Sequence, residues 1–138
     1  MIEEFKKLHD TAKLIGVLGN NDGERIGLLN KFKEIDGELK GEFGEKNIDG
    51  INFGIYHGTN KELKQALIRS GQYDVFICGH THQREDRKEG KTQVLNPGTA
   101  HRHFPNIDGK IEDKSRIIIY DTKTKEYEFI ELPYPNIS

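Results

Sequence analysis

The chain has 138 residues, enough for one domain built on a single core. Hydrophobic residues make up 33% and charged residues 32%, a lean composition that still excludes the depleted, one-signed profile of a disordered chain. Lys and Arg number 21 against 23 Asp and Glu, so the formal net charge is −2 and no basic footprint points to nucleic acid.

In chain order, Ile2, Phe5 and Leu8 recur every three residues and predict a short amphipathic helix at the start. Because the first ten residues are charged throughout, they do not read as a signal peptide. Leu14 to Leu18 reads as a buried strand, ended by the turn-forming run Gly19-Asn20-Asn21-Asp22-Gly23. From Glu24 to Ile35, Ile26, Leu29 and Phe32 mark one helical face, and the glycines at 37, 41, 44 and 50 suggest hairpin-like strands beyond it. Phe53 to Tyr56 is a short strand leading into His57-Gly58. Thr59 and Glu62 then form a capping-box pattern for a helix from about Asn60 to Ser70, closed by Gly71, with Leu63, Ala66, Leu67 and Ser70 on its apolar face.

Val75 to Cys78 is a second fully apolar strand, with Gly79-His80-Thr81-His82 directly at its end. Cys78 is the single cysteine, so it cannot make an intrachain disulfide, and it suits a reducing, cytoplasmic setting as a core residue. Gln93 to Asn96 is another strand, stopping at Pro97-Gly98, and Arg116 to Tyr120 pairs with Glu126 to Glu131 as a hairpin. No apolar run approaches the ~20 residues that span a bilayer, so no membrane partner is expected. Helices and strands alternate first and strands follow strands later, which predicts one α/β domain over residues 1–138, with mixed sheets packed face to face and helices outside.

Three polar motifs fall immediately after the apolar strands 14–18, 53–56 and 75–78, where open α/β sheets gather ligand-binding groups. Neutral imidazole suits Zn²⁺, Fe, Ni²⁺ or Mn²⁺, whereas Mg²⁺ prefers an all-oxygen shell, and an Asn oxygen adds a hard ligand. His80 and His82 would point to opposite faces of an extended strand, but a turn at the strand end can aim both into one site. Gly19, Gly58 and Gly79 would allow tight turns beside those ligands. Each motif alone also has a plainer reading: Gly-Asn-Asn-Asp-Gly is a common turn and a His-Gly pair is unremarkable. Two exposed imidazoles at a strand end have no packing rationale, and the three motifs in this order outweigh those readings.

On Gly19-Asn20-Asn21-Asp22, His57-Gly58, Gly79-His80-Thr81-His82 and Asn96-Pro97-Gly98-Thr99, the chain resembles the calcineurin-like metallophosphoesterases, most closely their small archaeal and bacterial single-domain phosphodiesterases. The resemblance implies a four-layer α/β/β/α sandwich and a two-ion site that would take Mn, Ni, Fe or Zn. It makes Asn20, His57 and His80 ligands of one ion and His82 a ligand of the other. Asn21 stands where many relatives place a catalytic histidine; lacking an acidic proton, it would hydrogen-bond a phosphate oxygen of the substrate. Asp22 would orient the Asn20–Asn21 turn, or serve only as a turn residue. Thr59 stands in place of a second histidine common after His-Gly, a departure that puts one family phosphate contact in doubt; Thr59 and Arg102 are the remaining substrate-binding candidates, although Arg102, with His101 and His103, reads better as an exposed polar loop. The implied reaction is attack on a small phosphate ester by a metal-activated water, with no protein nucleophile.

The family's Asp-x-His motif and its Gly-Asp motif, with the bridging aspartate, have no counterpart here. The expectation is a domain incomplete at its N-terminus by roughly 40 residues, the size of one strand-helix-strand unit. The remaining ligands form a neutral shell, so the 138 residues alone are expected to hydrolyse weakly or not at all, and exposed strand edges would favour homo-oligomers. Two functions follow: a metal-dependent phosphoesterase whose full chain is longer, or a non-catalytic protein-binding scaffold, as in the phosphoesterase-like subunit of retromer. Four intact ligand-competent residues favour the first.

Overall fold

A computed structural model of the chain describes residues 13–19, 25–99, 109 and 115–132. The expected N-terminal helix over Ile2 to Leu8 lies outside them.

Strand β1 (Ile15–Gly16) pairs in parallel with β2 (Glu38–Leu39), and helix α1 (Arg25–Glu34) connects them. Phe32 is buried over Gly16, where a Cβ would fall 2.7 Å from the ring, so helix and strand pack closely only because β1 has glycine there. The buried side of this helical segment differs from the expected one. Leu29 is 38% exposed, whereas Phe32 and Ile35 are buried with Leu28 beside them, an i, i+4, i+7 stripe that continues past the last helical residue.

The central sheet has the order β3-β4-β5-β7-β6. Strands β4 (Ile51–Tyr56), β5 (Val75–Ile77) and β7 (Thr92–Pro97) run parallel, and β3 (Phe43–Ile48) and β6 (Arg84–Glu89) pair antiparallel at its two edges. The sequence reading did not contain β6: its residues, Arg-Glu-Asp-Arg-Lys-Glu, are charged throughout. As an edge strand it needs no apolar run, and its charges discourage pairing with another chain.

Helix α2 (Lys61–Arg69) covers one face of the sheet, over Tyr56, Ile68, Tyr73, Phe76, Cys78 and Val94. Its N-cap is Asn60 and not the expected Thr59: the Asn60 side chain accepts from Leu63 N at 3.0 Å, which places the cap one residue later. The expected apolar face is corrected as well. Leu63 is 46% exposed and Ala66 and Ser70 are exposed, while Lys64 and Ile68 are buried and Leu67 packs at the core's edge. Gly71 ends the helix with φ +71, as expected.

The hairpin of β8 (Arg116–Asp121) and β9 (Glu126–Glu131) covers the other face. Ile118, Tyr120, Tyr127 and Phe129 close there on Ile51, Phe53, Val75 and Leu95. The period-two alternation of both strands sends these side chains inward and leaves Ile117 and Ile119 outward. The expected α/β organisation, with sheets face to face and helices outside, is what forms. Among the described residues no helix is long and apolar enough to cross a membrane.

Candidate functional site

Because β4, β5 and β7 are parallel, their carboxyl ends share one edge of the sheet. His57 follows β4, Gly79 to His82 follow β5, and Asn96 and Pro97 finish β7. The sheet thereby brings together residues far apart in sequence: the His57 and His80 rings lie 5.2 Å apart between centroids, with their planes at 73°.

The backbone ties the two loops directly. Gly79 N donates to His57 O at 2.9 Å. Gly58 has φ +103, and a Cβ on it would come 3.4 Å from Gly79 O and 3.7 Å from His80 Cβ, so this approach requires glycine. Gly79 stays out of the left-handed region, and a Cβ there would meet His57 Nδ1 at an ordinary 3.7 Å; the turn does not depend on it. The left-handed residues of this loop are the ligand candidates themselves, His80 at φ +68 and His82 at φ +58. Such a conformation costs a non-glycine residue about 1 kcal/mol or more, and it breaks the alternation that would send the two side chains to opposite faces.

Two imidazoles that share an ion through bonds of about 2.1 Å place their centroids roughly 4.5–5.2 Å apart, for ligand angles of about 90–109°. The observed 5.2 Å lies at the upper end of that range. Among the described residues no group of three or more His, Cys, Asp or Glu stands ready to hold one. Asn20, Asn21, Asp22 and Arg102 lie outside the described residues, as do His101 and His103. His82 is half-buried, and Thr59 is exposed beside the N-cap of α2.

Beneath the histidine loop lies a polar cluster that sequence reasoning missed. Lys64 of α2 is buried and its Nζ lies 2.9 Å from Glu85 Oε2 on β6. Asn96, fully buried on β7, donates from Nδ2 to the same Glu85 oxygen at 3.2 Å, and to Gly79 O and Thr81 Oγ1, each at 3.3 Å. Its Oδ1 accepts from Gly98 N at 2.9 Å. Burial alone would raise the Glu85 carboxyl, but hydrogen bonds from Lys64 and Asn96, with the Lys64 charge, hold it below its ordinary value. Glu85 gave no sequence signal because it sits inside a wholly charged stretch.

Cys78 borders this cluster, 3.6 Å from Glu85 Oε2. It is buried in the core, as expected, and that burial pushes its thiol up to about 12, away from a reactive thiolate. Iodoacetamide at pH 8 is therefore expected to leave Cys78 unmodified in the native protein and to alkylate it fully in denaturant, as read by intact mass; rapid native labelling would contradict this burial.

Comparison with known proteins gives a consistent answer. A phosphodiesterase of Methanocaldococcus jannaschii is 38% identical over 133 residues, covering 96% of this chain and 75% of the relative. A solved archaeal phosphodiesterase superposes with a TM-score of 0.82 at 37% identity, over 95% of this chain and 74% of the other. Vps29 of Entamoeba histolytica, solved with zinc, matches at a TM-score of 0.54 and 17% identity over 95% of this chain and 89% of its own, a likeness of fold alone. The model of the calcineurin-like phosphoesterase superfamily domain matches residues 1–125. With the fold these relatives share, the chain belongs to the calcineurin-like phosphoesterase superfamily, hydrolases acting on phosphate esters.

Proposed function

We propose that the chain supplies part of a metal-dependent phosphodiesterase site, in which Asn20, His57 and His80 hold one divalent ion and His82 contributes to a second. The observation that carries this reading is the approach of the His57 and His80 rings to 5.2 Å at the ends of adjacent parallel strands. The name phosphodiesterase, printed for the Methanocaldococcus jannaschii relative and for the matching archaeal structure, supports a phosphodiester as the substrate class. Imidazole donors favour Mn, Ni, Fe or Zn over Mg²⁺.

A bound ion would supply Lewis acidity toward a phosphate oxygen and an activated water. The residues of this chain would place the substrate around it. Asn21 donates an amide hydrogen bond to a phosphate oxygen but cannot protonate a leaving group, Thr59 offers a hydroxyl beside His57-Gly58, and Arg102 offers a charged fork. Asp22 would support the neighbouring Asn20 and Asn21 or serve only as a turn residue. The buried thiol of Cys78 is consistent with a reducing, cytoplasmic setting.

These 138 residues contain neither an Asp-x-His pair nor a Gly-Asp bridging carboxylate, so the ligand shell they provide is neutral. The 138-residue chain is accordingly expected to bind Mn²⁺ or Zn²⁺ in calorimetric titration, to lose that binding in His57→Ala, and to show negligible Mn²⁺-dependent hydrolysis of bis-p-nitrophenyl phosphate. Robust turnover abolished by His80→Ala would overturn the expected inactivity. A folded chain that binds neither ion would overturn the metal reading and favour the scaffold.

A further inference from the structure

We propose that Lys64 and Glu85 are positioning residues, a buried ion pair that acts through Asn96 to fix the Gly79–Thr81 loop and so sets where the His80 ring stands relative to His57. The proposal rests on the metal reading only for the purpose of the geometry; the geometry itself can be read without an ion.

A lysine ammonium at 7% residue exposure is expensive to bury, and α2 has better candidates for an inward face: Leu63, one residue earlier, is left 46% exposed. Packing alone would have turned that leucine inward. What occupies the inner position is a charge whose partner, Glu85, waits on β6 at 2.9 Å. Glu85 faces Asn96 directly across the β6–β7 ladder, and Asn96 divides its amide hydrogens among Glu85, Gly79 O and Thr81 Oγ1. Thr81 Oγ1 in turn accepts from Gln83 N at 3.2 Å, so the contacts bracket His80 and reach past His82.

The loop so held carries both left-handed histidines, a conformation that persists only where surrounding bonds over-determine it. Lys64 also lies against the second loop: a Cβ on Gly58 would be 3.8 Å from Lys64 Cδ. One lysine therefore packs against the His57 loop with its stem and controls the His80 loop with its ammonium. A buried pair of this kind adds little net stability over apolar residues of similar size, which leaves placement of the loop as its consequence.

The decisive variant is the double replacement Lys64→Met/Glu85→Met, compared with each single change. Glu85→Met strands the buried Lys64 ammonium and is expected to lower the melting temperature most; Lys64→Met leaves Glu85 with Arg87 Nε at 3.4 Å and lowers it less, while the double variant recovers it to near the parent value. Proton NMR of the metal-free protein is expected to show contacts between the His57 and His80 rings in the parent and to lose them in the double variant. Zn²⁺ affinity, measured against a chromophoric chelator, is expected to fall roughly 10–100-fold in the same variant. A double variant with parental melting, ring contacts and affinity would overturn the proposal, because a purely structural pair would behave in that way. Should the double variant not fold, Thr81→Val cuts the Asn96 link from the half-buried loop without touching the core, and unchanged ring contacts there would equally overturn it. A parent that binds no Zn²⁺ but shows the ring contacts, lost in the variants, refutes the metal reading and upholds the positioning.

Discussion

Phe76→Ala is expected to lower the unfolding free energy by about 3–5 kcal/mol, measured by urea titration. Phe76 is fully buried in β5, the middle strand of the central sheet. Its ring sits 6.2 Å from that of Tyr73 and lies against Gly54, where a Cβ would come within 3.1 Å of it. The neighbours cannot collapse into the space. Tyr73 is held by its hydroxyl, which donates to Glu45 Oε2 at 3.0 Å, and by α2 packed above through Ile68. A cavity therefore remains and adds to the lost transfer energy. Against a total of about 5–15 kcal/mol for an ordinary domain, the loss is a large fraction of stability. It corresponds to a fall of roughly 10–20 °C in melting temperature. A loss under about 1 kcal/mol would mean that the core does not close around this strand.

His80→Gly is expected to abolish ion binding while leaving stability nearly unchanged. Losing one imidazole from a shell of three ligands is expected to weaken ion binding by roughly 100-fold or more, about 3 kcal/mol, which takes binding below detection in calorimetric titration. Glycine is the informative replacement because His80 sits at φ +68, which glycine adopts freely and alanine does not. A drop in binding without a drop in melting temperature assigns the effect to the imidazole and not to a distorted loop. Affinity within threefold of the parent would remove His80 from the ligand set.

The core and the missed network were legible to different degrees, for one reason: the sequence carries information mainly through periodicity and local turn chemistry. Val75 to Cys78 reads as a buried strand because all four residues are apolar, and the structure places β5 at the sheet's centre. The β8–β9 hairpin reads correctly because period-two alternation is local. The helix faces were misjudged where burial was decided from outside the helix. Leu63 was expected inward, but Glu85, brought over by β6, selected Lys64.

By itself, then, the sequence determined that Gly-Asn-Asn-Asp, His-Gly and Gly-His-Thr-His each come directly after an apolar run, and with that the family. A strand end is a local signal, and a chain cannot hide it. Only the tertiary structure decided that β4 and β5 are neighbours in register, so that His57 and His80 meet at 5.2 Å. It alone joined Lys64, Glu85 and Asn96, which are spread over 32 positions of chain and share no pattern. Pairing between strands and the burial of one charge against another are set by the whole fold's packing, and no local period encodes them.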